Sequence, residues 1–217
     1  MNELKMWCKA RGIAINDGQL NQFSEYKKNL LEWNQRINLT AITDDEGVWQ
    51  KHFADSLTLL SFLPDVGREI SLIDVGSGAG FPGLPIKIMR PDISVTLLDS
   101  LRKRIFFLED TVNHLGLKDV TCVHARAEDF GKVKAAGRSF DICTSRAVAR
   151  LDKLCGWCLP FLKPGGIFLA MKGPNVDEEL EETLPKISKL GGEVLDVKYV
   201  EIVDGMMHSV VVVCYNE

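Results

Sequence analysis

No window of the 217 residues holds the run of about 18 apolar side chains that a membrane span needs, because charged residues interrupt every apolar stretch. A membrane partner is therefore not expected. The opening residues, MNELKMWCKARG, also lack the continuous apolar core and small-residue cleavage site of a secretion signal, so a cytoplasmic location is expected. Net basic charge is missing as well: 26 Lys and Arg stand against 30 Asp and Glu, and the formal charge is −4. The chain as a whole does not attract polyanions, and any nucleic-acid contact has to come from a local basic face. Only four histidines are present, and the six cysteines are scattered. Cys155-Gly156-Trp157-Cys158 matches C-x-x-C but has no second pair and no clustered histidines, so it reads as helical core, and no metal is expected. The length favours one domain with a modest extension, and nothing demands more than a monomer.

What is present divides at about residue 68. Residues 1–68 have apolar positions at helical spacing: Phe23, Tyr26, Leu30, Trp33 and Ile37 lie on one face of a helix, ready to pack against the rest of the chain. Residues 69–217 alternate short apolar strands with helices. The strand candidates are Ile70 to Asp74, Val95 to Asp99, Val120 to His124, Phe140 to Ser145 and Gly166 to Met171, with Lys163-Pro164-Gly165-Gly166 expected as a turn before the fifth. Such alternation predicts a parallel α/β sheet. Two further β-rich runs, Val194 to Val203 and His208 to Cys214, flank Asp204-Gly205 and should form a hairpin, giving seven strands with an antiparallel member at the end.

The run Asp74-Val75-Gly76-Ser77-Gly78-Ala79-Gly80-Phe81 leads from the first strand into a helix. Glycines at 76, 78 and 80 permit a sharp bend with no Cβ between backbone and ligand. A dinucleotide fingerprint starting at Gly76 needs glycine where Phe81 stands, and no phosphate-binding G-x-x-x-x-G-K-[ST] loop is present. A nucleoside ligand without pyrophosphate remains, and D-x-G-x-G-x-G resembles the first motif of class I methyltransferases, which bind S-adenosylmethionine (AdoMet). Asp99 ends the second strand, where a carboxylate can hold ribose hydroxyls; alternatively Asp99 or Ser100 caps the following helix. Ala127 and Glu128 follow the third strand, where that class lays the adenine, although Glu128 and Asp129 equally suit a helix N-terminus.

Further blocks extend the resemblance: Asn38-Leu39-Thr40-Ala41-Ile42, His52-Phe53-Ala54-Asp55-Ser56-Leu57, Leu97-Leu98-Asp99-Ser100, Lys103-Arg104, Arg126-Ala127-Glu128, Ser145-Arg146-Ala147 and Lys172-Gly173. Together with the glycine loop they are similar, over nearly the whole chain, to the bacterial 16S rRNA guanine-N7 methyltransferases, the glucose-inhibited division protein B family. The resemblance implies a Rossmann-like class I fold. It implies AdoMet as cofactor, 16S rRNA or the small ribosomal subunit as partner, and N7 of guanine 527 in the 530 loop as target. Gly76, Phe81, Ala127, Glu128 and Arg146 match the family's AdoMet contacts, Gly78 and Gly80 share their loop, and Asp99 lies in the ribose region. One departure is that Met206-Met207 precede His208, where the family carries Arg or Lys.

Guanine N7 has an in-plane lone pair and no proton, so it needs no general base. The chain accordingly lacks the [N/D/S]-P-P-[Y/F/W] run of amino-methyltransferases and the Pro-Cys pair of pyrimidine C5 enzymes. Arg146 and Lys172, just past strand ends, are the positioning candidates, toward the AdoMet carboxylate, guanine O6 or phosphate but never N7; for each the alternative is a structural salt bridge. Lys28, Arg36, His52, Arg102, Lys103, Arg104, Arg126 and Arg150 are the candidates for RNA contact, against the ordinary reading of solvated surface. His52 and Asp55, one helical turn apart, could instead pair with each other. The competing functions are a class I methyltransferase acting on a small molecule or protein, and an inactive AdoMet-binding domain serving as an RNA scaffold.

Overall fold

The structure, a computed structural model, describes residues 2–67, 69–130, 138–146 and 149–216. It opens with α1 (Asn2–Ala10) and α2 (Asp17–Ile37). The second begins at a capping box, in which the Asn16 side chain accepts from Gln19 N and the Gln19 side chain accepts from Asn16 N, and stops at Asn38, whose φ of 45° turns the chain out of the helix. A composite helical stretch follows: α3 (Asp45–Val48), a π-helical turn (Trp49–Ala54), α4 (Asp55–Leu57) and a 3-10 turn (Thr58–Phe62). The wide turn carries His52, and single π turns inside helices are common at functional sites.

The rest is a doubly wound sheet. Strands β1 (Ser71–Val75), β2 (Ser94–Asp99), β3 (Val120–His124), β4 (Phe140–Arg146) and β5 (Leu162–Lys172) run parallel, interleaved with α5 (Gly83–Met89), α6 (Arg102–His114), α7 (Ala127–Phe130) and α8 (Leu151–Cys158). After α9 (Asp177–Lys189), β6 (Gly192–Val203) and β7 (Met206–Tyr215) form the expected hairpin, and Gly205 takes the left-handed φ of 73° at its turn. The order is β3-β2-β1-β4-β5-β7-β6, with β7 inserted antiparallel between β5 and β6. This is the expected seven-stranded, mostly parallel architecture. Lys163-Pro164-Gly165-Gly166 departs from expectation, because it lies inside β5 rather than before it. The pairing jumps there from Phe140 with Leu162 to Ile142 with Ile167, so the residues that suggested a turn form an irregularity in the strand, with Gly165 at φ 79°.

Side chains of successive strand residues face opposite layers. Leu72 joins a cluster with Leu97, Ile142 and the helical extension's Leu4, Phe23, Tyr26, Leu30 and Phe53, all buried. Ile73 faces the other layer with Cys143, Phe168, Val211, Cys155, Cys158 and Ile187. The extension therefore shares its apolar core with one sheet face. Cys155 and Cys158 belong to the other layer, as the helical-core reading expected; burial pushes the Cys155 thiol up to about 12 and that of Cys158 well above its ordinary range.

Strand order reverses between β1 and β4, and in such sheets ligands bind beyond the carboxyl ends of the strands at that point. Packing under the glycine loop is tight. A Cβ on Gly83 would lie 2.6 Å from Leu97 Cδ2 and 2.9 Å from Asp74 Oδ2. Gly83→Ala is expected to lose about 1–3 kcal/mol through overpacking, seen as a lower urea midpoint; an unchanged midpoint would contradict this packing.

Candidate functional site

At the carboxyl end of β1 the chain enters the loop through Gly76, Gly78 and Gly80, whose φ values are 73°, 60° and 89°. Three anchors hold it. The Asp74 carboxylate, wholly buried, accepts from Gly83 N at 3.1 Å and from Thr144 Oγ1 at 3.1 Å, tying β1 to β4 and to the start of α5. Tyr26 of α2 donates its hydroxyl to Ala79 O, fixing the loop's outer side to the extension. Asp99 Oδ2 accepts from Gly78 N at 2.9 Å and from Arg104 Nη1 at 3.2 Å, and its Oδ1 accepts from Leu101 N at 2.8 Å. Leu101, not Asp99 or Ser100, occupies the N-cap of α6.

Two adjoining cavities meet at Gly76, Asp99 and Ser100. The first, about 290 Å³, is lined by Val75, Leu98, Ala125, Arg126, Ala127, Glu128 and Trp157. A flat apolar slot beside an acid after β3 suits an adenine. The second, about 350 Å³, is lined by Ser77, Gly78, Ala79, Phe81, Arg104 and Arg146 and, from the extension, by Leu39, Thr40 and His52. A Cβ on Gly78 would find only Gly76 O, at 3.8 Å, so that glycine faces open space, whereas one on Gly80 would strike Leu84 and Tyr26. These residues fit AdoMet. Asp99 would hold its ribose and Ala127 and Glu128 its adenine, while the open space at Gly78 lets a ligand approach the loop backbone.

Arg146 is the hub of the second cavity. Its Nη1 donates to Asp55 Oδ2 at 2.9 Å and to Lys51 O at 3.0 Å, its Nη2 lies 3.2 Å from His52 Nδ1, and its guanidinium sits 4.9 Å from the Phe81 ring centre. Asp55 in turn meets His208 Nδ1 of β7 at 2.5 Å, and His208 Nε2 lies 3.2 Å from Thr58 Oγ1. The expected His52–Asp55 pair is therefore replaced by one bridged through Arg146, since the π turn directs the two side chains to different edges of the same guanidinium. His52 stacks on Phe81 with ring centres 4.5 Å apart. It is buried, and that burial together with Arg146 lowers its pKa to about 4, so it has no charge to offer a phosphate near neutrality.

The other candidates scatter. Lys172 pairs with Glu179 at 2.9 Å and donates to Ala149 O at 3.1 Å, away from both cavities, which is the structural salt bridge weighed as its alternative. Arg150 pairs with Glu182. Lys28, Arg36, Arg102, Lys103 and Arg126 are exposed and make no ion pair among the described residues, whereas Arg104 is spent on Asp99. Ala147 lies outside the described residues. Sequence reasoning missed Trp157, Tyr26, Asp74 and the placement of Thr40. The only signal for Thr40 was its presence in the quoted Asn38-Leu39-Thr40 block.

Two buried groups give opposite pH dependences. Burial raises the Asp74 carboxyl to about 6, so acidification toward pH 4 favours the fold; His52, held near 4, takes up its proton more readily when unfolded, so the same acidification disfavours it. Each contributes roughly 3 kcal/mol over that window. Relative to the parent chain, His52→Gln should gain denaturant resistance between pH 6.5 and 4.5, and Asp74→Asn should lose it; parallel curves for all three proteins would refute the assignment.

Residues 19–207 match the family GidB, described as rRNA small subunit methyltransferase G. A ribosomal RNA small subunit methyltransferase G of Clostridium botulinum (strain Loch Maree / Type A3) is 46% identical over 213 residues, covering 98% of this chain and 89% of the relative. One of Clostridium beijerinckii is 50% identical over 204 residues, covering 93% and 84%. Among solved structures, the [4+2]-cyclase SpnF superposes with a TM-score of 0.61 at 19% identity, covering 92% of this chain and 94% of that one. A SAM-dependent methyltransferase from Aquifex aeolicus gives 0.57 at 18% identity, covering 79% and 94%. The structural likenesses establish the class I methyltransferase fold, and the sequence matches, which take in the cleft and the extension that walls it, establish more: this chain belongs to the AdoMet-dependent rRNA small subunit methyltransferase G family.

Proposed function

We propose that this chain methylates N7 of a guanine in the 530 loop of 16S rRNA, guanine 527 in the usual numbering, on the rRNA or the small subunit in the cytoplasm. What carries the reading is that proteins named for small-subunit rRNA methylation match 98% of the chain. The chemistry of the cleft suits it. Bound AdoMet supplies an electrophilic sulfonium methyl. Asp99 is the only carboxylate among the described residues lining the second cavity, and its oxygens already accept three hydrogen bonds. A nucleophile that must first lose a proton is poorly served there, whereas N7 attacks with a lone pair it already has.

What remains for the protein is alignment. Holding N7 in line with the methyl and sulfur can supply up to about 7–11 kcal/mol. Arg146 is suited to that task because Asp55, Lys51 O and His52 hold it from behind. Its side chain is 18% exposed, so it acts from a wall that is mostly dry. After transfer the base carries a positive charge, which the same guanidinium repels, and this assists release.

Labelled AdoMet offered to small subunits lacking this modification should transfer label to RNA, mapping to one guanine N7; label on protein or on a small molecule would overturn the reading. Arg146→Ala should lower turnover at least 100-fold, and parental turnover would remove Arg146 from the reaction. For RNA docking, the five exposed cations Lys28, Arg36, Arg102, Lys103 and Arg126 predict a log–log slope of affinity against salt of about −3 to −4. A slope near zero would mean that this face does not touch phosphate.

A further inference from the structure

The glycine loop and Asp99 form one wall of the second cavity, and the helical extension forms the opposite one. Thr40 sits on that opposite wall and is held firmly. Asn34 Oδ1 accepts from Leu39 N at 2.6 Å and from Thr40 N at 2.9 Å, while Asn34 Nδ2 donates to Thr40 O at 2.9 Å. The Thr40 hydroxyl oxygen accepts from Ile42 N at 3.0 Å and lies 2.8 Å from His52 Nε2.

Which of these last two atoms carries the shared proton is decided on the far side of the imidazole. His52 Nδ1 lies 3.2 Å from Arg146 Nη2, a group that can only donate. Nδ1 therefore presents its lone pair, and the neutral ring carries its proton on Nε2. Lys51 O, 3.1 Å from Nδ1, could accept from it as well as from Arg146 Nη1, but a proton on Nδ1 would set two N–H groups against each other across the 3.2 Å contact with Arg146 Nη2. With Nε2–H and Ile42 N–H both donating to it, the Thr40 oxygen has spent its two lone pairs. Its own O–H meets no acceptor among the described residues and is left able to donate but not to accept. Arg146 is in the same condition: after Lys51 O, Asp55 and His52, its Nε–H and one Nη2–H have no hydrogen-bond acceptor among the described residues.

We propose that Thr40 is a specificity-determining residue that donates its hydroxyl proton to O6 of the target purine, beside Arg146. The inference rests on the reading above that a guanine is the substrate. Guanine presents two acceptors on this edge, O6 and N7. N7 must stay free to meet the methyl, so recognition falls on O6. Adenine presents an amino group where guanine has O6. A wall of donors with no spare lone pair leaves that amine unpaired and desolvated, which excludes adenine without any contact to the reacting nitrogen.

The test uses small subunits assembled from 16S rRNA carrying either guanine or 2-aminopurine, which lacks O6, at the modified position. Single-turnover transfer from labelled AdoMet is measured with the parent chain, Thr40→Val and Thr40→Ser. Removing O6 should slow the parent about 10–100-fold. Thr40→Val should slow guanine transfer by a similar factor and gain no further slowing from 2-aminopurine, and Thr40→Ser should stay within a few-fold of the parent. Calorimetric AdoMet affinity of Thr40→Val should remain within about twofold of the parent, which separates a lost base contact from a misfolded or cofactor-starved protein. Parental speed for Thr40→Val, a multiplicative loss from the two deletions, or a parallel loss of AdoMet affinity would each overturn the proposal. If the parent chain labels no guanine at all, the assignment of the reaction falls first and this inference falls with it.

Discussion

The Asp55 carboxylate is mostly buried, with about 10% of its side chain exposed, and it spends its two oxygens on different partners: one on the Arg146 guanidinium, the other on the His208 ring. Those three residues come from the helical extension, the end of β4 and the start of β7, so one anion joins segments that are about 90 and 150 residues apart in the chain. A buried charge that lost one of these partners would be left uncompensated, at a cost of about 3–5 kcal/mol. The extension is therefore bound to the sheet twice, by the apolar cluster around Tyr26 and Phe53 and by this ion pair beside the cleft. The apolar contacts fix how closely it packs. The ion pair fixes its register, because Arg146 meets Asp55 Oδ2, Lys51 O and His52 Nδ1 together, and all three belong to the π turn and the residue after it.

Much of this was legible before any coordinates. The glycine spacing after Asp74 excluded a pyrophosphate ligand, the run of short apolar strands fixed a parallel sheet, and Asp204-Gly205 between two β-rich runs marked the hairpin. All three are local signals, in which residues within a few positions of each other determine the backbone. Lys163-Pro164-Gly165-Gly166 shows the limit of such signals. Proline and glycines mark a backbone irregularity, but whether the chain leaves the sheet there or bulges within it depends on pairing with β4, which no window of β5 contains. On the loop side the same local signals marked Gly76, Gly78, Asp99, Ala127 and Glu128, which the structure brings to the lining of two adjoining cavities. The opposite wall was not marked in this way. Whether Lys172 faces a ligand or Glu179 is decided by α9, and whether His52 meets Asp55 or Arg146 is decided by a π turn that has no recognised sequence mark.

The likeness to a [4+2]-cyclase is one of fold alone, at 19% identity. A shared fold says nothing about what reacts in the cleft. In this chain the wall facing the glycine loop is built by Leu39, Thr40, His52 and the partners that hold Arg146. These residues lie in or against the extension, outside the common sheet. The sequence matches at 44–50% identity run through the extension as well as the sheet, while the structural likenesses at 13–19% carry only the fold.

The electrostatics of the wall follow from the same residues. A cation beside a nucleophilic lone pair is an awkward neighbour, since an N–H aimed at N7 would block the attack it is meant to assist. In the proposed reaction Arg146 would avoid this because its donors are largely committed elsewhere: Asp55, Lys51 O and the His52 lone pair take three of its five N–H groups. His52 can accept only while it is neutral, and it is kept neutral by burial and by the guanidinium it restrains. The arrangement is self-consistent in one protonation state. A protonated His52 would repel Arg146 and release the Nη2–H it holds, so the low basicity of a single buried histidine keeps the guanidinium in its present position.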